Sequence, residues 1–210
     1  MAKKSNIEKN SSTEEKIKEA ARKVFTQKGY AATRTRDIAE EAGYNLALLN
    51  YYFRSKEKLF DIICLENIQL FLPSVIGIIN DESTTLQEKI EILVSNYIDM
   101  LIKNPELPLF VLSEIHKDPV KLINKVWANN VSHEGTYMVK QWQEFVAKGK
   151  GPAINPIHIF VNTLSMMIFP FIASPLLRNR TGMNITEFNK LMLERKKLIP
   201  VWIAAMLNIK

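Results

Sequence analysis

Apolar residues recur every three to four positions along most of the chain, the spacing of helices with one buried face. Ile17, Ala20, Ala21, Val24 and Phe25 make the first such stripe. It follows Ser12-Thr13-Glu14-Glu15, a capping box in which the Ser12 hydroxyl accepts from the Glu15 amide and the Glu15 carboxylate accepts from Ser12 N–H. Gly29 ends that helix, as a residue that tolerates positive φ. Thr35 caps a second, short helix with Ile38, Ala39 and Ala42 as its apolar positions, and Gly43 closes it. Tyr44 alone separates Gly43 from Asn45, a good N-cap for a third helix. Two short helices with so tight a joint must cross steeply, which is the helix-turn-helix arrangement. Residues 1–11 are left as a polar, flexible basic arm.

The helical period continues to the end of the chain. Arg54-Ser55-Lys56-Glu57 opens a longer helix with Leu59, Phe60, Ile62, Ile63 and Leu65, which Pro73 is expected to bend or end. Thr84 or Thr85 caps a helix to about residue 103, with Leu86, Ile90, Leu93, Val94, Tyr97 and Leu101 on one face. A short helix lies between Pro105 and His116. A long one over 119–147 turns Ile123, Trp127, Met138, Trp142 and Phe145 inward. "KGKGPAINP" reads as a loop, and helices over 156–177 and 186–209 close the chain. No strand or internal repeat is legible. The predicted class is all-α: a three-helix DNA-binding-type domain at 12–57, with its motif at 34–53, and a larger helical domain at 58–210.

The third helix is the odd one. With Leu49 and Phe53 turned inward, its other face carries Leu46, Ala47, Asn50 and Tyr51, flanked by Tyr52 and Lys56. Small apolar, amide and phenol groups suit the floor of the DNA major groove. Alanine contacts thymine methyls, asparagine pairs with adenine, and tyrosine hydroxyls bond phosphate. Charge changes the weight of this reading. The net charge is +6, and residues 1–60 hold +5 of it. A basic end on a near-neutral body implies an anionic partner for that end. The alternative on charge alone is a helical protein that binds nucleic acid nonspecifically or lies on an anionic membrane surface.

Candidate chemistry narrows the field further. His116, His133 and His158 match no metal spacing, and no glycine-rich phosphate loop is present. The reading is therefore no enzyme, no catalytic residue, no cofactor and no metal. The single cysteine, Cys64, lies in an apolar run and reads as a buried thiol in a reducing, cytoplasmic setting. The N-terminus has no signal-peptide core. The most apolar stretch, 157–173, is short for a membrane span and carries His158, Asn162, Thr163, Ser165 and Pro170, so a buried or interface helix is expected and no membrane partner.

These residues carry a resemblance. "GYAATRTRDIAEEAGYNLALLNYYFRSKEKLF" is similar to the DNA-binding segment of tetracycline-repressor-like (TetR family) regulators. The landmarks are Gly29, Thr33, Asp37-Ile38-Ala39, Ala42-Gly43, Tyr52-Phe53, Ser55-Lys56-Glu57 and Leu59. The resemblance implies about nine helices per chain and a homodimer on double-stranded operator DNA, most often as a repressor. It places DNA contacts on Thr35 and Arg36 in the second helix, on Asn45, Leu46, Ala47, Asn50, Tyr51 and Tyr52 in the third, and on Lys56 beyond it. It also implies an effector among the middle helices and a four-helix interface from the last two. Two departures stand out: Asn50 replaces the family's usual tyrosine, and Leu46 and Leu48 replace polar or small residues. The third helix has no Lys or Arg, so phosphate affinity falls to Arg34, Arg36, Arg54 and Lys56, with Lys3, Lys4 and Lys9 of the arm as further candidates.

The rest of the chain supports two coarser expectations. Ile159, Phe160, Leu164, Met167, Ile168 and Phe171, with Phe188, Leu191, Leu198, Trp202, Ile203 and Met206, are more apolar surface than one small body can bury, so these two helices are expected to form a two-fold interface. Tyr97, Phe110, Trp127, Met138 and Trp142, with Asn130 or His133 as polar anchors, are the candidate lining of a pocket for an unknown small apolar or amphipathic effector.

Overall fold

The computed structural model describes residues 2–126, 135–152 and 154–208, with side chains from Ser12 onward except at 125 and 126. The described residues form eleven helices and no strand: α1 (Ala2–Ala32), α2 (Thr35–Ala42), α3 (Leu46–Phe53), α4 (Lys56–Asn80), α5 (Leu86–Lys103), α6 (Leu107–Lys117), α7 (Pro119–Val126), α8 (Tyr137–Ala147), α9 (Pro156–Ile172), α10 (Ser174–Thr181) and α11 (Ile185–Leu207). Two compact units divide between Ile68 and Gln69, within α4.

The first unit is a small three-helix body with the start of α4 laid against it. Ile17, Ala21, Val24 and Phe25 of α1 meet Ile38 and Ala39 of α2, Leu49 and Phe53 of α3, and Leu59 and Ile63 of α4, all buried. The stripe read from the sequence is thus the core. Leu59 and Ile63 draw the start of α4 onto this unit, which runs to Ile68. An ionic cluster holds the same pair of helices together. Glu66 of α4 accepts from Lys18 at 2.7 Å and from Arg22 at 2.6 Å.

Three local expectations change. α1 begins at Ala2, so Ser12 and Glu15 lie inside the helix instead of capping it. No glycine or proline interrupts residues 2–28, and Glu15 pairs along the helix with Lys18 at 2.7 Å and Arg22 at 3.1 Å. Gly29 does break the helix, with φ 74° and ψ 160°, a region open essentially to glycine alone, but helical residues resume as far as Ala32. Pro73 does not end α4, which runs on to Asn80. Its ring is exposed.

The second unit is a helical layer around α5 and α11. Ile90, Val94, Ile98 and Leu101 pack on Trp142, Met167, Phe171, Phe188, Met192, Ile199, Ile203 and Leu207. Lys196 of α11 reaches both carboxylate oxygens of Asp99 of α5, at 2.9 and 2.8 Å. The long helix expected over 119–147 appears as α7 and α8, with 127–134 outside the described residues. The helix expected over 156–177 breaks at Ala173, and α9 and α10 meet there at 59°. Among the described residues there are eleven helices, where about nine were expected. α4 is long and apolar enough to cross a membrane by length and composition; its first half carries Lys58, Asp61 and Glu66 and packs on the first unit through Leu59 and Ile63.

Candidate nucleic-acid interface

The helix-turn-helix is fixed at each of its joints. Arg34, not Thr35, is the N-cap of α2; its N–H donates to the Asp37 carboxylate at 2.9 Å. Lys28 adds an ion pair to Asp37 at 3.2 Å. The Arg34 backbone bond first, and Lys28 second, hold the Asp37 carboxyl below its ordinary range. At the far end Gly43 adopts φ 71°, ψ 27°, and the amide of Tyr44 returns to the Ala39 carbonyl at 2.9 Å. Asn45 then caps α3, accepting from Leu48 N–H at 2.8 Å.

This frame decides which side of α3 faces outward. Leu49 and Phe53 are buried against α1 and α2. Ala47 and Asn50 are exposed, and Tyr51 is 73% exposed. Leu46, Leu48 and Tyr52 are half-buried, and the Tyr52 ring stands edge-on to Tyr51 with centroids 5.3 Å apart. Arg34 and Arg36 are exposed at the start of α2, with Thr35 half-buried between them. The chain therefore gathers Ala47, Asn50, Tyr51, Arg34 and Arg36 as accessible groups. Asn45 is also exposed, but its carbonyl oxygen is engaged in the cap.

Two features were not legible in the sequence. Arg54 has φ 59° and ψ −39°, and the amide of Ser55 closes on the Phe53 carbonyl at 2.6 Å around it. This tight turn places a non-glycine residue in left-handed territory. Lys56 is half-buried, and its Nζ donates to the carbonyls of Tyr30 and Thr33, both at 2.9 Å. The same ammonium lies 4.3 Å from the centre of the Tyr30 ring.

The candidate effector lining is less coherent. Trp142 belongs to the core of the second unit, and Tyr97 and Met138 pack against it. Burial pushes the Tyr97 phenol up to about 12. Phe110 is buried in α6. Trp127, Asn130 and His133 lie outside the described residues. A shallow groove elsewhere, between α9 and α11, is lined by Asn162, Ser165, Met166, Trp202 and Met206. Around it Phe160, Val161, Phe169, Leu198 and Val201 are exposed.

Residues 17–63 match the family described as bacterial regulatory proteins, tetR family. A probable HTH-type transcriptional regulator, YttP of Bacillus subtilis, is 28% identical over 165 residues, covering 77% of this chain and 78% of its own. A TetR transcription regulator from Haloarcula marismortui superposes with TM-score 0.60 at 18% identity, over 94% of this chain and 99% of that one. The transcriptional regulator FadR of Bacillus subtilis, solved in complex with stearoyl-CoA, gives TM-score 0.53 at 17% identity, over 88% and 96%. The two structural likenesses support the fold, and the helix-turn-helix match supports the activity. Residues 17–63 thus carry the DNA-binding segment of the tetR family of bacterial regulatory proteins, and the chain as a whole is similar to an HTH-type transcriptional regulator.

Proposed function

We propose that this regulator is a homodimeric repressor that holds a two-fold operator with α2 and α3 and leaves it when a small apolar or amphipathic molecule binds the second unit. The observation that carries the reading is the division of α3: Leu49 and Phe53 fully buried, Ala47, Asn50 and Tyr51 offered outward beside Arg34 and Arg36. Base-edge readers and phosphate-pairing cations then share one face. In this reading residues 12–57 are the DNA-binding domain, and 58–210 serve effector binding and dimerisation through the last helices. It places the protein in the cytoplasm, with the DNA.

Two further observations support the finer parts. The exposed apolar residues of α9 and α11 need cover, which an isologous contact with a second copy supplies. FadR, similar in fold, was solved with stearoyl-CoA, an amphipathic molecule. Any effector that releases DNA must bind the DNA-free conformation more tightly than the DNA-bound one. The test is competition binding on a duplex enriched by the protein from a random pool. A repressor of this kind holds that duplex against excess unrelated DNA and loses it on adding stearoyl-CoA or another long-chain amphiphile. Equal displacement by any duplex would remove the operator reading. Sequence-specific binding insensitive to every amphiphile tried would remove the effector class alone.

A further inference from the structure

We propose that Lys56 is a positioning residue that sets the N-terminal end of α2 against the DNA, and not a phosphate ligand. The inference rests on the operator reading above and changes the role of one residue in it. Lys56 is the first residue of α4, a helix end where the peptide dipoles disfavour a cation. The carbonyls of Tyr30 and Thr33 offset that. Both stand at the corner where α1 gives way to α2, where helical carbonyls lack partners within their own helix.

The corner is itself built to present them. Gly29, at φ 74°, turns the chain out of the helix, and Thr33 Oγ1 donates back to the Gly29 carbonyl at 2.7 Å. The face of Tyr30 lies under the ammonium, and that ring packs on Phe60 of α4 with centroids 4.5 Å apart. Arg34, Thr35 and Arg36 follow Thr33 directly. One ammonium therefore ties the start of α4 to the residue next to the α2 cap. A phosphate could engage it only by competing with two charge-assisted bonds already made. Removing the ammonium frees the corner, and the side chains of α2 lose their fixed approach to the groove.

The two roles separate in salt dependence. The probe is the duplex consensus enriched by the parent protein from a random pool, and Arg36→Ala defines the base pairs that α2 reads. Lys56→Gln is expected to lower affinity about tenfold at fixed salt, to relax preference at those same base pairs, and to leave the slope of log K against log salt at the parent value. A phosphate ligand would instead lower the slope by about 0.9 per site, roughly 1.8 per dimer, with the consensus intact. That result overturns the proposal, as does parental binding. Lys56→Arg is the second variant, for the case that Lys56→Gln does not fold. It keeps the charge but spreads its donors over a planar fork too wide for one point between two carbonyls. It is expected to relax the same base pairs at parental slope; a parental consensus overturns the proposal. A parent that enriches no consensus overturns the operator reading along with it.

Discussion

Arg195 of α11 donates from Nη2 to the backbone carbonyl of Met166 in α9 at 2.8 Å. That carbonyl would ordinarily accept from the amide four residues on, and position 170 is a proline. The arginine supplies the donor that Pro170 lacks. Its Nε is buried without a partner, its guanidinium lies 5.2 Å from the Trp202 ring, and burial draws its pKa down. Arg195→Ala should therefore destabilise the second unit by about 1–3 kcal/mol. In a Pro170→Ala background the helix regains its own donor, and the same substitution should cost clearly less. Urea unfolding of the four proteins in the cycle checks this. Equal costs in both backgrounds would mean that Arg195 acts through Trp202 or charge instead.

Arg54 sits at positive φ, which glycine adopts at lower cost. Arg54→Gly should raise the stability of the first unit by about 1 kcal/mol, seen as a later thermal midpoint. If the guanidinium pairs with phosphate, the same variant should bind operator more weakly and reduce the salt slope by about 0.9 per subunit. Greater stability with an unchanged slope would leave the strain without a role in DNA binding.

The first unit should lose stability in acid for identifiable reasons. Asp37 is held below its ordinary value by the Arg34 amide and then Lys28. Glu15 is lowered by hydrogen bonds from Lys18 and then Arg22. A carboxyl whose folded pKa is depressed contributes fully above its unfolded value, near pH 4, and loses that contribution as pH falls through the folded one. Asp37→Asn should be less stable than the parent at pH 7 and converge with it at pH 2–3. Melting temperatures across that range check it, and a constant gap between the two would contradict the assignment.

The period of the apolar positions specified the first unit well. Every position from Ile17 through Phe53 read as inward is buried there or packed on that core, because an amphipathic stripe has one way to be covered in so small a body. Gly43 and Asn45 marked the joints for the same reason, since each has a local conformation to satisfy. Where the reading departed from the fold, the deciding interaction was distant in sequence or set by the backbone. Lys56 looked like a surface cation, and only the folded corner brings the Tyr30 and Thr33 carbonyls to it. Arg195 carried no signal, because its partner is a backbone atom exposed by a proline in another helix. Pro73 and Pro170 both lie within helices, the first exposed and the second buried, a difference that spacing does not encode. The pocket reading was weakest, since aromatic residues at helical spacing, such as Trp142, serve a core equally well.

The central claim is that α3 reads base sequence, with Asn50 outward where the family usually has tyrosine. Asn50 is exposed beside Ala47 and Tyr51, and its carboxamide offers the donor and acceptor that match adenine N7 and N6. The most direct measurement is parallel enrichment of duplexes from a random pool by the parent and by Asn50→Ala. The parent should yield a two-fold symmetric consensus. The variant should lose preference for adenine at one base pair in each half-site, a discrimination of ~1–3 kcal/mol, and keep the remainder. An identical consensus with uniformly weaker binding, or no consensus from the parent, would contradict the claim.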